Sequence, residues 1–159
     1  MTEFRLVRLD AAHERAAFDC GTPALNRYLR EQVGQDMRRN AARCFVALAG
    51  EARIAGYYTL SAAVLRRTQL PDAKAKKLPR YADVPAARVG RLAVDVGFQG
   101  QGLGGALLAD ACQRALRSDI AACALVVDAK DDAAVRFYSH HGFEGIPDTL
   151  RSMFLVLPR

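Results

Sequence analysis

Seventeen residues, Arg91 to Leu107 (RLAVDVGFQGQGLGGAL), constrain this chain more than any other stretch. They read as an apolar strand from Arg91 to Val94, a tight glycine-rich turn from Gln99 to Gly105, and a helix that starts inside the glycines. That helix carries Leu107, Leu108, Ala111, Cys112 and Ala115 at i, i+3, i+4 spacing. Gly100, Gly102, Gly104 and Gly105 lack a Cβ, so the backbone turns tightly and comes within hydrogen-bonding distance of a ligand. The first N–H groups of the helix have no intrahelical acceptor and lie at the positive end of its dipole, which suits phosphate oxygens. The element is an anion cradle, and a pyrophosphate is its natural guest.

Spacing limits which pyrophosphate. A Walker loop ends in Gly-Lys-Ser/Thr, and this turn has no lysine. Gly100, Gly102 and Gly105 do fit the Gly-x-Gly-x-x-Gly dinucleotide fingerprint, so the glycines alone leave that reading open. Against it, the turn falls past the middle of the chain, behind a long helical stretch unlike a Rossmann opening.

At 159 residues the chain fits one domain, 1–159, large enough to bury a core without staples. No apolar run reaches the ~18 residues of a membrane span, and Met1-Thr-Glu-Phe-Arg lacks the apolar core of a signal peptide. The expectation is a soluble, cytoplasmic protein without a membrane partner. Cys20, Cys44, Cys112 and Cys123 are scattered, without the Cys-x-x-Cys spacing of a zinc site or redox pair, and read as reduced thiols; no metal site is expected.

Charge is lopsided. Residues 1–91 hold 17 Lys+Arg against 9 Asp+Glu, and residues 92–159 hold 6 against 8. The basic excess lies upstream of the glycine turn, and a polyanion is the partner it suits.

Along the chain, Phe4 to Leu9 alternates as a first strand, and a short helical patch follows Asp10. Thr22-Pro23 supplies an N-cap and a proline at the first helical position. The helix face there is Leu25, Leu29, Gln32 and Val33, interrupted at Gly34 and running to Arg39. Cys44 to Leu48 and Ile54 to Ala63 form a hairpin, and residues 65–85 a long basic loop with one helical turn. Ala87 to Val94 is a strand, Leu103 to Arg117 a helix, and Ala122 to Asp128 an apolar strand. Asp131 to His141 is a helix stopped by Gly142, and Phe143 to Ile146 with Ser152 to Leu157 close a terminal hairpin.

The pattern Gln99-x-x-Gly102-x-Gly104 after a Leu-Ala-Val strand resembles the acetyl-CoA loop of the GNAT N-acetyltransferase superfamily. Phe137-Tyr138-Ser-His-His-Gly142-Phe143 resembles its second block, at the expected separation. The resemblance implies an α/β (α+β) fold with a splayed, mixed, mostly antiparallel central sheet flanked by helices. It implies acetyl-CoA as cofactor, bound by the backbone of Leu92, Ala93 and Val94 and by Gln99, Gly100, Gln101, Gly102, Leu103, Gly104 and Gly105. Asp131 departs from the pattern. It stands where many members place a cofactor-contacting Asn, and an ionised carboxylate accepts but does not donate.

Acetyl transfer from a thioester to an amine needs a neutral amine, donors for the oxyanion and a proton for the departing thiolate. Tyr138 stands where the family places the phenol that supplies the proton. Asp95, His140 and His141 are candidates for a general base, none of them compelling: Asp95 suits a turn, and the two histidines suit a helix end.

Phe18-Asp-Cys-Gly, Gly56-Tyr-Tyr-Thr-Leu-Ser, Lys77-Leu-Pro-Arg-Tyr with Val84-Pro, Gly90-Arg-Leu-Ala-Val-Asp and Val127-Asp-Ala-Lys-Asp look like segments of GNAT toxins from type II toxin–antitoxin modules. That resemblance implies acetylation of the α-amine of aminoacyl-tRNA, which blocks translation. It also implies restraint by a ribbon-helix-helix antitoxin, through which alone the protein would meet DNA. A homodimer is left open. The charge agrees independently: Lys77, Arg80 and Arg91 are placed to track substrate phosphates. An α-amine also titrates near ~8, against ~10.4 for lysine, so it makes little demand on a base. A GNAT acting on a protein or small-molecule amine is the alternative, and a cofactor-bound regulator without turnover a further one.

Overall fold

The computed structural model describes residues 3–158. Its strands are β1 (Arg5–Arg8), β2 (Arg43–Ala49), β3 (Arg53–Arg66), β4 (Asp83–Val94), β5 (Ala124–Asp128), β6 (Glu144–Gly145) and β7 (Ser152–Val156). The α-helices are α1 (Pro23–Arg27), α2 (Val33–Arg38), α3 (Asp72–Ala75), α4 (Leu103–Arg117) and α5 (Asp132–His140). The strands form one sheet in the order β1-β2-β3-β4-β5-β7-β6. β1–β2, β2–β3, β5–β7 and β6–β7 pair antiparallel, whereas β4 and β5 run parallel, so the sheet is mixed and mostly antiparallel. The parallel register joins Ala86 to Ala124, Ala87 to Leu125 and Arg88 to Val126, and β4 continues beyond it to Val94.

The chain packs as two units, and strands β3 and β4 and helix α4 pass through both. The first runs to Ser61 and adds Gly90–Ala111. Its core joins Leu9, Phe18, Tyr28, Leu29, Val33, Val46, Leu48, Ile54 and Tyr57, all almost fully buried. The second comprises Ala62–Val89 and the chain from Cys112 onward, around Leu65, Leu70, Leu78, Val84, Ala124, Val126 and Phe154.

Four local expectations change. After Asp10 there is a turn, not a helix: the Asp10 carboxylate accepts from Ala12 N at 2.8 Å, an Asx turn that competes with helix formation. The break in the N-terminal helix lies at Tyr28–Gln32, a π turn, and α2 runs straight through Gly34. Val33 N bonds Tyr28 O, an i→i+5 link that sets Tyr28 and Val33 on one buried face and leaves Gln32 exposed. Residues 65–85 are more ordered than a long loop. β3 continues to Arg66, a 3-10 turn (Arg67–Gln69) and α3 follow, and β4 starts at Asp83. Thr22 has the extended backbone of a cap, but its side chain makes no capping bond; its carbonyl accepts from Leu25 N and Asn26 N.

Candidate functional site

In the first unit the end of β4 leads directly into the glycine turn. Asp95, the next residue, is 2% exposed, and its carboxylate is committed to the backbone around it. Oδ2 accepts from Asp19 N at 3.0 Å and Oδ1 from Gly97 N at 2.8 Å, while the Arg53 guanidinium stands 3.5 Å from Oδ1. Asp95 N donates to Ala55 O, and Val96 N to Asp19 O. This carboxylate therefore ties β3, the 18–20 segment and the 3-10 turn Val96–Phe98 to one another. Both of its oxygens take part in that tie, so Asp95 braces the turn.

Gln99 is exposed, yet its side chain folds back onto the chain. Its side-chain amide donates to Val94 O at 3.0 Å and more loosely to Cys20 O at 3.4 Å, which pins the start of the turn to the strand before it. Gly100 and Gly102 then take φ +80° and +79°, a left-handed conformation that side chains with a Cβ rarely adopt, and a Cβ on either would meet open space. The turn needs these glycines for their backbone shape, and the space in front stays clear for a ligand. The first bond of α4 runs from Ala106 N to Gly102 O, so the N–H groups of Leu103, Gly104 and Gly105 stand ahead of the helical ladder.

Helix α4 is held close by a glycine of the facing strand. A Cβ at Gly56 would lie 3.1 Å from Ala93 O and Leu107 Cδ1, and 3.2 Å from Leu103 Cδ2. Leu103, Leu107, Leu108 and Ala111 are buried on that side, and the Tyr58 hydroxyl donates to Asp110 at 2.6 Å. Among the predicted strand residues, Ala93 is buried and Leu92 and Val94 are half-buried. Gln101, like Gly100 and Gly102, is exposed.

Arg91 is half-buried, with its guanidinium carbon over the Tyr28 ring. It pairs with neither aspartate that its sequence position suggests. Asp95 meets Arg53, and Asp128 meets Arg88 at 2.7 Å and the Ser152 hydroxyl at 2.6 Å.

In the second unit Asp131 is the N-cap of α5, its carboxylate accepting from Ala134 N at 2.8 Å. Tyr138 is 8% exposed. Its ring meets Phe137 at 5.2 Å and Phe143 at 5.3 Å, both edge-on. Gly142 at φ +93° ends the helix, and Phe143 N returns to Tyr138 O, which folds Phe143 back onto the tyrosine. That geometry accounts for the Tyr-x-x-x-Gly-Phe spacing. Burial pushes the phenol up to about 12, so it keeps its proton throughout the neutral range. His140 and His141 are exposed; the His141 ring packs on Phe137 and on His140. Lys77 and Arg80 are exposed between α3 and β4. Cys44 is buried, which pushes its thiol up to about 12 and leaves it inert. Among the described residues no helix is long and apolar enough to cross a membrane.

Three features were not legible in the sequence: the brace at Asp95, the Gln99 amide folded back onto Val94, and Tyr28 beneath Arg91. Only the last had a signal, a tyrosine five residues before the buried Val33.

The model of the acetyltransferase (GNAT) family matches residues 9–143. The chain is 34% identical over 152 residues to a tRNA-acetylating toxin of Mycobacterium tuberculosis (strain ATCC 25618 / H37Rv), covering 94% of this chain and 90% of that protein. It is 26% identical over 155 residues to the probable toxin TacT of Sinorhizobium fredii (strain NBRC 101917 / NGR234), covering 91% and 86%. Among solved structures, AtaT complexed with acetyl-methionyl-tRNAfMet superposes with a TM-score of 0.86 at 30% identity, over 97% of this chain and 95% of that one. AtaTR bound with AcCoA gives 0.80 at 29% identity, over 97% and 94%. A mutant AtaT toxin bound to the C-terminus of the antitoxin AtaR gives 0.81 at 26%, over 97% and 93%.

Proposed function

The chain belongs to the acetyltransferase (GNAT) family, and from that premise we propose that it is a toxin: it transfers acetyl from acetyl-CoA to the α-amine of aminoacyl-tRNA, blocks translation, and is neutralised by an antitoxin. The observation that carries this reading is similarity over 94% of the chain to a tRNA-acetylating toxin, joined to an intact glycine cradle and a buried, protonated Tyr138. We take 1–159 as one catalytic domain working in the cytoplasm. The antitoxin is of the ribbon-helix-helix kind, and DNA is met only through it.

The residues present fit acetyl-CoA. The N–H groups of Leu103, Gly104 and Gly105 suit a pyrophosphate, and the clear space before Gly100 and Gly102 admits it. Gln99 holds the turn in shape, with Gln101 at its outer lip. The backbone of Leu92, Ala93 and Val94, beyond the parallel register of β4, orients the pantetheine arm. Asp131 serves chiefly by capping the helix that carries Tyr138. When bound, acetyl-CoA supplies an acetyl group activated as a thioester.

The chain's own chemistry is then a proton at one atom. With acetyl-CoA bound, Tyr138 Oη would give its proton to the departing sulfur as the amide bond forms and the carbon–sulfur bond breaks; the amine's proton would leave to solvent, and the phenol would regain one from solvent before the next turnover. A phenol held near 12 never arrives as phenolate at neutral pH, which suits a donor. An α-amine with a pKa near ~8 is already partly neutral, so no strong base is required. Lys77, Arg80 and Arg91 contact RNA phosphates.

The test is translation in a cell-free system. Added protein should halt synthesis only when acetyl-CoA is present, and Tyr138→Phe should not halt it. Arrest that is independent of acetyl-CoA would refute the reading.

A further inference from the structure

The outer end of the β3–β4 pair carries an aromatic ring that the fold does not use. Tyr81 is 70% exposed, the most exposed aromatic among the described large hydrophobic residues. The segment around it is firmly held. Leu78 and Ala75 are buried in the core of the second unit, Arg67 N donates to Ala82 O at 3.0 Å, and Arg67 Nε donates to Ala75 O at 3.2 Å. These anchors bring the chain at Arg66–Arg67 beside the chain at Tyr81–Ala82. Alternation turns Leu65 and Val84 inward and leaves Val64, Arg66, Asp83 and Pro85 outward. Arg80, next to the ring, is also exposed, and residues 65–85 hold six lysines and arginines against two aspartates.

An exposed ring on a rigid, basic segment suits a polyanion that also presents flat π faces. Single-stranded nucleic acid has that chemistry, because its unpaired bases stack on aromatic side chains while cations follow its backbone. The centres of protein interfaces are instead depleted in lysine. We propose that Tyr81 stacks on an unpaired base at the 3′ end of the RNA substrate, with Arg80 and Arg66 meeting the adjacent phosphates. The inference rests on the aminoacyl-tRNA reading and extends it to the part of the RNA that is gripped and to the residue that grips it.

A stacking contact is sensitive to the base and insensitive to salt, and this separates it from the charges around it. The probe is uncharged tRNA, intact or trimmed of its unpaired 3′ nucleotides, bound to wild type, Tyr81→Ala and Tyr81→Phe at several salt concentrations. Tyr81→Ala should weaken binding of intact tRNA roughly tenfold to a hundredfold with an unchanged salt slope, while Tyr81→Phe binds as wild type does. Trimming removes the stacked base together with the phosphates that Arg80 and Arg66 meet, so it should cost the wild type more than it costs Tyr81→Ala, by about the factor that Tyr81→Ala itself loses on intact tRNA. The ring is exposed, so the thermal midpoint of Tyr81→Ala should match the wild type and exclude misfolding. Equal trimming losses in wild type and Tyr81→Ala would overturn the stacking contact, as would tight binding of intact tRNA by Tyr81→Ala. Acetylation of charged tRNA by the wild type, measured alongside, separates this failure from failure of the tRNA reading itself.

Discussion

The guanidinium carbon of Arg91 lies 3.7 Å from the centre of the Tyr28 ring, and the Tyr28 hydroxyl donates to Asp36 at 2.6 Å. The arginine at the head of the cofactor strand is therefore oriented by a π face. The two aspartates that its sequence position suggests are occupied by Arg53 and Arg88.

It follows that Arg91→Ala should cost little stability, about 1 kcal/mol for the lost cation–π contact. The same change should lower the slope of log K against log salt for tRNA binding by about one and leave acetyl-CoA affinity alone. An unchanged slope would remove Arg91 from the RNA interface.

Tyr138→Phe keeps the ring contacts with Phe137 and Phe143 and loses only the proton. Turnover should fall by roughly 10²–10⁴ with acetyl-CoA affinity unaffected. Wild-type activity should rise with pH as the esterified α-amine, which titrates below the ~8 of a free one, loses its proton. It should then stay level until the phenol ionises near 12. A descending limb at pH 9 that disappears in Tyr138→Phe would contradict a buried phenol as the donor.

At Gly102 the backbone stands at φ +79° with open space where a Cβ would go. Gly102→Val should leave the protein folded, at a cost of about 1–2 kcal/mol for the left-handed backbone. Its isopropyl group should enter the space that a pyrophosphate needs. Calorimetry should find acetyl-CoA affinity reduced about tenfold or more; undiminished affinity would place the cofactor elsewhere.

The role of Asp95 can be separated by comparing stability with rate. Asp95→Ala leaves Asp19 N and Gly97 N without acceptors, and hydrogen bonds to a charged group are worth about 1.5–3 kcal/mol each. Together that is about 3–6 kcal/mol, so the thermal midpoint should drop by roughly 6–24 °C. A rate loss of a thousandfold with an unmoved midpoint would restore Asp95 as a base.

How legible these features were depended on how local their cause is. Helix α4 starts and ends where the apolar spacing from Leu103 to Arg117 puts it, and Gly142 marks the end of α5, because each is decided within a few residues. The π turn was hidden because Gly34 looks like the breaker; the actual break follows from burying Tyr28 and Val33 together. The segment after Val64 read as a loop because its prolines and lysines break the pattern, yet Leu65, Leu70 and Leu78 bury in the second unit's core. Asp95 and Gln99 were named from a motif, but their partners at Asp19 and Cys20 lie over seventy residues away in the chain. No spacing rule reaches that far.

The central claim is that the acetyl group lands on the amine of an amino acid esterified to tRNA. The most direct measurement is mass spectrometry of the 3′ end of charged tRNA after incubation with acetyl-CoA labelled in its acetyl group. Wild type should yield a labelled N-acetylaminoacyl adenosine, and Tyr138→Phe almost none. Unmodified aminoacyl-tRNA, with label instead on protein lysines or a small amine, would contradict it.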